Sequence, residues 1–330
     1  MAHDCVPNFD HLELLPLRFV MTARQGLHLP AYMGSILRGA FGHALKKTVC
    51  AFDLDTPCST CMLREVCTYT AVFEPQISSP AGFPTLQTPP RPFVLRPPQL
   101  DDYRLKPGDD LSFEFNLVGS AVKHLPYIVT ALRRMGSDGF GPGRARFDLA
   151  EIRVVDEEGH TKAVIYRKGD NTIVMPGAQT FLRGGELRRL ARSQERPSSE
   201  TMTIRFKTMT RLKQKGYLRG SAPPFEVLIR HLLFRLSAMS ALYQEQTVAA
   251  PWKDLLALAE AVTPLESNVA WQDWQRYSSR QKTTMALGGL VGTVTYRGPW
   301  QPFLQVLALG EHLHVGKGAT FGLGQYELVD

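Results

Sequence analysis

The stretch "VGKGATFGLGQYELVD" (residues 315–330) sets Gly316, Gly318, Gly322 and Gly324 within nine positions, directly ahead of a short alternating strand pattern. Glycine loses more backbone freedom on folding than any other residue, so such a cluster weakens a fold unless the backbone there needs it. An earlier stretch, "HLPYIVTALRRMGSDGFGPGRARFDLAEIRVV" (residues 124–155), runs in the same order: an apolar helix pattern, a glycine loop, a strand. Phe140-Gly141-Pro142-Gly143 matches Phe321-Gly322-Leu323-Gly324, and Phe147-Asp148-Leu149 matches Tyr326-Glu327-Leu328. Internal similarity of this kind predicts two copies of one structural unit.

The flanking patterns agree. A strand at about 14–22 precedes a helix at about 33–47, and a strand at about 202–207 precedes a helix at about 225–243. Strand patterns at 111–118 and 290–296 then lead into the second helix of each half. Strand–helix–strand–strand–helix–strand is the ferredoxin-like plan, so the chain reads as α+β, two tandem βαββαβ domains. Two segments read as connections. Residues 75–98 are too proline-rich for a helix or a central strand, and the polar run at 191–200 suits a boundary near 195. The expected domains are therefore 1–195, with a cysteine-bearing insert at about 50–98, and 196–330.

With 44% hydrophobic and 21% charged residues, the chain has the composition of a globular protein. No apolar run approaches the ~20 residues that cross a bilayer, and the start lacks a signal-peptide pattern, so a cytoplasmic location is expected. Net charge is +7, which favours a polyanionic partner. Much of the excess lies between Arg183 and Arg219, and within it Lys207, Arg211, Lys213 and Lys215 surround the turn at Gly216. A basic hairpin of this kind either tracks an RNA backbone or is a solvated turn. Glycine-rich turns expose successive N–H groups that cradle phosphate. That makes Gly316, Lys317, Gly318, Gly322 and Gly324, with Arg144 and Arg146 after the first loop, candidate RNA contacts.

Four of the five cysteines lie in "CAFDLDTPCSTCMLREVC": Cys50, Cys58, Cys61 and Cys67. A disulfide framework is not expected in a cytoplasmic chain, and C-x2-C with two further cysteines reads as a metal site. Zinc is the default ion. An iron–sulfur cluster uses the same ligands, and four free thiols are the alternative to both.

The ending "GKGATFGLGQYEL" resembles the C-terminal signature of the RAMP superfamily of CRISPR-associated proteins. "LRGAFGHALKK" (37–47) and "RFKTMTRLKQKG" (205–216) followed by "FEVLIRHLLFRLSAMSALY" (225–243) resemble the precursor-crRNA-processing endoribonucleases, the sixth Cas family. The resemblance implies binding of CRISPR repeat RNA and one metal-independent cut with no catalytic cofactor. The ribose 2′-OH attacks the adjacent phosphate, leaving a 2′,3′-cyclic phosphate and a 5′-OH. It also implies a proton-transferring residue on or beside the first helix.

His43 is the candidate. Met33, Leu37, Ala40, Phe41 and Ala44 form the apolar stripe of that helix, and His43 lies at its margin, on the flank of Tyr32 and Lys46. An imidazole suits this work because its ordinary pKa is ~6.5. Lys46 or Lys47 is expected to stabilise charge, Tyr32 to orient the 2′-OH, and His28 to be the rival for the proton-transfer role. Two other classes fit part of the pattern. One is a RAMP subunit of an effector complex that binds crRNA without cutting, alongside other Cas subunits. The other is a four-cysteine metal-binding regulator, which leaves the paired glycine loops without a role. A single cut in cognate repeat RNA in the presence of EDTA separates the three.

Overall fold

The computed structural model describes residues 6–75, 89–98, 104–193, 200–214, 216–218, 220–278 and 283–329. Two compact units emerge. One runs Glu13–Leu182; the other joins the described residues up to Leu12 to those from Arg183 onward.

The first unit contains β1 (Glu13–Ala23), β2 (Leu27–His28), α1 (Gly34–Val49), α2 (Thr68–Val72), β3 (Phe93–Arg96), β4 (Arg104–Leu105), β5 (Asp110–Val118), α3 (Leu125–Asp138), β6 (Phe147–Val155) and β7 (Thr161–Arg167). Its main sheet runs β3-β5-β1-β6-β7, every neighbouring pair antiparallel. With α1 between β1 and β3 and α3 between β5 and β6, this is the ferredoxin-like order. β5 alternates exposed Asp110 and Ser112 with buried Leu111 and Phe113, as a strand with one covered face must. Phe41 of α1 meets Phe93 and Phe115 edge-on at 5.9 and 5.1 Å, so the helix–sheet core is largely aromatic.

β3 corrects the reading of 75–98 as a connection. Phe93, Val94 and Leu95 are fully buried, and the strand forms the sheet edge, where flanking prolines do not interrupt a ladder. The prolines hid a four-residue strand.

The second unit repeats the plan. After the two-residue strand β8 (Leu182–Arg183) come α4 (Gly184–Ser193), β9 (Thr201–Thr210), β10 (Lys213–Gln214), β11 (Tyr217–Leu218), α5 (Phe225–Tyr243), α6 (Trp252–Glu260), β12 (Thr263–Gln272), β13 (Gln275–Ser278), β14 (Thr283–Ala286), β15 (Gly289–Arg297), α7 (Leu304–Leu313) and β16 (Tyr326–Val329). The sheet β12-β15-β9-β16 has the same antiparallel order as its counterpart.

The units divide ahead of the expected boundary at 195, because α4 packs against α7. Residues 6–12 join them. Arg188 pairs with Asp10, Gln305 Nε2 donates to Asp10 Oδ1 (2.7 Å) and to the Gly184 carbonyl (3.0 Å), and Phe9 and Leu12 are fully buried. No helix among the described residues is long and apolar enough to cross a membrane.

Candidate active site and RNA-binding surfaces

His43 lies in the C-terminal half of α1, one residue past Gly42. That glycine is required where it stands: a Cβ would meet the Phe73 ring at 2.2 Å, so the bare backbone lets Phe73 close on the helix. Leu37, Phe41 and Ala44 face the core as the helical period predicts, which leaves His43 exposed on the adjoining flank.

The imidazole opens onto a cleft of about 240 Å³ bounded by Ile36 and Ala40 of α1, Asp138 at the end of α3, and the loop Gly139–Arg144. The loop's shape follows from its glycines. Gly139 has φ +75°, and a Cβ there would stand 2.2 Å from the Arg144 carbonyl oxygen. Phe140 N–H donates to the Ala145 carbonyl (3.0 Å) while its ring stacks on Phe147 at 4.5 Å. The turn so formed holds Arg144 at φ +50°, a conformation that costs a side-chain-bearing residue ~1–3 kcal/mol. Strand β2, carrying the exposed His28, packs beside this turn and pairs with β4.

Lys47 Nζ forms an ion pair with Asp138 Oδ2 at 3.1 Å. Burial lowers the His43 pKa, the Lys47 and Arg144 charges lower it further, and Asp138 pulls the other way. The imidazole is therefore biased toward its neutral, proton-accepting form.

Lys46 does not share this environment. Its ammonium donates to the carbonyls of Leu54 (2.5 Å) and Thr56 (3.2 Å) and lies 5.8 Å from the Tyr69 ring, pinning the cysteine insert. The arrangement expected of Lys46 and His43 is therefore not found: Lys47, not Lys46, is the lysine whose charge acts on His43. The two lysines are neighbours in sequence but ~100° apart around the helix, and tertiary contacts choose between them. Tyr32 is partly buried, does not line the cleft, and has its phenol pKa pushed up by burial, so it stays protonated. Asp138, which was not singled out from the sequence, is the carboxylate of the site. Its position directly before the loop glycine was the available signal.

The terminal loop differs from its expected role. Gly322 and Gly324 are buried at φ +81° and +75°, and a Cβ on Gly324 would stand 1.9 Å from the Val315 carbonyl oxygen. Thr208 Oγ1 donates to the Gly322 carbonyl (2.8 Å) and accepts from Gln325 N–H (2.9 Å). The N–H groups of Val315, Lys317, Phe321 and Gly324 all donate to carbonyls of the protein. Gly322 and Gly324 are packing devices, and the exposed part of the loop is Lys317 with half-exposed Gly316 and Gly318.

Around it, exposed Lys213 lies close enough that it and Arg211 depress the Lys317 pKa, after burial. His231 Nε2 is 2.9 Å from the Lys213 carbonyl oxygen. Two other basic candidates are already engaged. Lys207 pairs with Glu327 at 3.0 Å, and Arg211 donates to the carbonyls of Ala286 (3.1 Å) and Gly288 (2.9 Å). Arg146 is exposed, and Lys215 lies outside the described residues.

Cys50, Cys58, Cys61 and Cys67 line one small cavity with Lys46, Thr56, Tyr69 and Thr70, and burial pushes the Cys58 thiol pKa up. Among the described residues, the set of ligand-type side chains with atoms all within 4.8 Å of one another is Asp156, Glu158 and His160, on the exposed β6–β7 turn. The cysteines converge without reaching that mutual distance.

Residues 204–326 match the family model described as CRISPR-associated endoribonuclease Cas6, and residues 12–178 match the model AF_1859_N, an N-terminal domain. An uncharacterized protein of Archaeoglobus fulgidus is 30% identical over 125 residues, 38% of this chain and 41% of that protein, so the chain spans less than half the length of this curated relative. Among solved structures, a Cas6 product complex matches with TM-score 0.54 at 18% identity over 96% of this chain and 99% of the other. The Thermus thermophilus Cas6 matches at 0.54 and 15%, again over 96% and 99%. A partial Cas6-RT-Cas1–Cas2 complex matches at 0.58 and 12% over 98% of this chain and 47% of the other. At these identities the structural matches establish the fold, tandem ferredoxin-like units of the Cas6 kind.

Proposed function

We propose, from the match of residues 204–326 to the CRISPR-associated endoribonuclease Cas6 model, that this chain is a protein of that kind, which binds CRISPR repeat RNA and cleaves precursor crRNA once per repeat without a catalytic metal. The observation that carries the reading is His43, exposed at a cleft whose walls supply Asp138 and Arg144, with Lys47 paired to that Asp138.

The neutral imidazole of His43 takes the proton of the ribose 2′-OH as the 2′ oxygen attacks phosphorus. The P–O5′ bond breaks, a proton is delivered to O5′, and the products are a 2′,3′-cyclic phosphate and a 5′-OH. General base catalysis supplies ~10²–10⁴-fold, and cations beside the phosphate supply the electrostatic part. His28, on the strand beside the Arg144 turn, is the second candidate for proton transfer.

RNA is held along the second unit by Lys317, Gly316, Gly318 and Lys213, and beside the cleft by Arg144 and Arg146. Lys207 and Arg211 contribute positive field from their engaged positions. The Cas6-containing complex with Cas1 and Cas2 supports other Cas proteins as further partners.

We assign the four cysteines to one structural zinc. The support is their convergence on a single cavity and the suitability of four thiolates for zinc, a donor set an iron–sulfur cluster would share. An ion would draw the thiols closer than they stand. It would fix the insert that Lys46 ties to α1 and take no part in the cut.

The deciding experiment incubates the purified protein with its cognate repeat RNA in excess EDTA. One cut with a cyclic phosphate on the upstream product is expected. Intact RNA, bound but uncut, would instead make the protein a crRNA-binding subunit.

A further inference from the structure

We infer that Arg144, rather than either lysine of α1, is the cation that contacts the phosphate being cleaved. The inference rests on the cleavage reading above.

Three cations approach His43 in sequence or in space, and two are already occupied. Lys46 donates to the carbonyls of Leu54 and Thr56 on the far flank of α1. Lys47 is held by Asp138 at 3.1 Å, and Arg134 of α3 donates to the Lys47 backbone carbonyl at 2.6 Å, which fixes that corner further. To reach a phosphate, Lys47 would have to leave its carboxylate.

Arg144 is placed differently. It lines the same cleft as His43, it is exposed, and among the described residues no carboxylate pairs with its guanidinium. Its backbone sits at φ +50°, between Gly143 at +69° and buried Ala145, although glycines in the same loop could have taken the left-handed position. A strained non-glycine residue kept at the mouth of a cleft is the kind of outlier from which function is inferred. The guanidinium fork suits bidentate contact with two phosphate oxygens, whereas an ammonium acts as a point charge. Arg144 moves no proton. It holds the non-bridging oxygens while the 2′ oxygen bonds to phosphorus, His43 takes the 2′ proton, and the P–O5′ bond breaks with water protonating the departing O5′.

Asp138 has a matching part. By neutralising Lys47 it leaves one net positive charge beside the imidazole, so the cleft draws an anion without carrying the uncompensated charge of two cations.

The test is the single-turnover rate at saturating repeat RNA, with affinity and thermal midpoint, for the wild type, Arg144→Gly, Arg144→Lys, Lys47→Ala and His43→Ala. Glycine accepts φ +50° without strain, so Arg144→Gly keeps the turn. It is expected to lower the rate ~10²–10³-fold with affinity changed less than tenfold, the usual loss for one charge-stabilising donor. Added guanidinium ion should recover part of the rate in Arg144→Gly and none in His43→Ala, and Arg144→Lys should fall between wild type and glycine. A wild-type rate in Arg144→Gly, a loss confined to affinity, or a rate loss confined to Lys47→Ala overturns the assignment. A wild-type protein that binds repeat RNA and never cuts it overturns the cleavage reading itself, and the inference falls with it.

Discussion

Gly324 approaches Val315 so closely that a Cβ on the glycine would lie 1.9 Å from the valine carbonyl oxygen, while Val315 N–H donates to the Gly324 carbonyl at 2.9 Å. The glycine is thus locked into the turn by its own partner. Gly324→Ala meets both positive-φ strain of about 1–2 kcal/mol and a backbone clash of about 1–3 kcal/mol. The thermal midpoint should fall by about 5–15 °C. Gly216→Ala, at φ +88° with open space around it, should show only the strain. Calorimetry of the two variants checks this, and equal midpoints would remove the packing account of the terminal loop.

His43→Ala should lower the single-turnover cleavage rate by about 10²-fold or more, with repeat affinity nearly unchanged. Should the variant cut at the wild-type rate, proton transfer passes to His28.

The pH dependence follows from the charges around the imidazole. Burial disfavours a charged imidazole, and the Lys47 and Arg144 charges add to this against the pull of Asp138, so His43 titrates below its ordinary value of ~6.5. A protonated imidazole cannot accept the 2′-OH proton. The rate should therefore rise with pH and level off, with its midpoint below that value. Lys47→Ala removes a cation and should move the midpoint up, and Asp138→Asn removes an anion and should move it down. Single-turnover rates across pH measure all three, and shifts of the opposite sign would exclude His43 as the base.

Elemental analysis of protein purified without added metal should find about one zinc per chain. Cys58→Ser should abolish it and lower the thermal midpoint more than the cleavage rate. A visible absorption band would indicate an iron–sulfur cluster instead, and a metal-free, well-folded protein would leave four thiols.

Lys317→Ala should weaken repeat binding modestly and reduce the slope of log affinity against log salt by about one phosphate contact. Affinities at two salt concentrations suffice, and an unchanged slope would take Lys317 out of the RNA surface.

The duplicated fold was legible because its punctuation is local: the two glycine loops, and the helix and strand periods beside them, need no distant partner to be seen. β3 was not legible, since prolines at 89, 90 and 92 dominate a window in which only Phe93–Arg96 is strand. The candidate site divides along the same line. Helical period places His43 at the margin of the apolar stripe and the family resemblance makes it the candidate, whereas its pairing environment depends on α1 lying against α3, which brings Lys47 to Asp138 across 91 residues. Lys46 and Lys47 cannot be told apart by spacing. Gly322 and Gly324 carry the same one-letter signal whether a phosphate or the chain's own carbonyl fills the space they leave.

Residues 6–12 fold with the second unit, through Phe9 N–H on Gln305 Oε1 at 3.2 Å and His11 Nε2 against Ser240 Oγ at 2.6 Å. During synthesis these residues leave the ribosome well before their partners exist. At a translation rate of about 5–20 residues per second, the nearly 300 positions separating Phe9 from Gln305 take on the order of half a minute. The first unit can close around its own sheet in that interval, while buried Phe9 and Leu12 stay uncovered until the second unit is almost complete. The opening segment acts as a late latch, so a nascent chain stalled inside the second unit would present those two apolar side chains to chaperones.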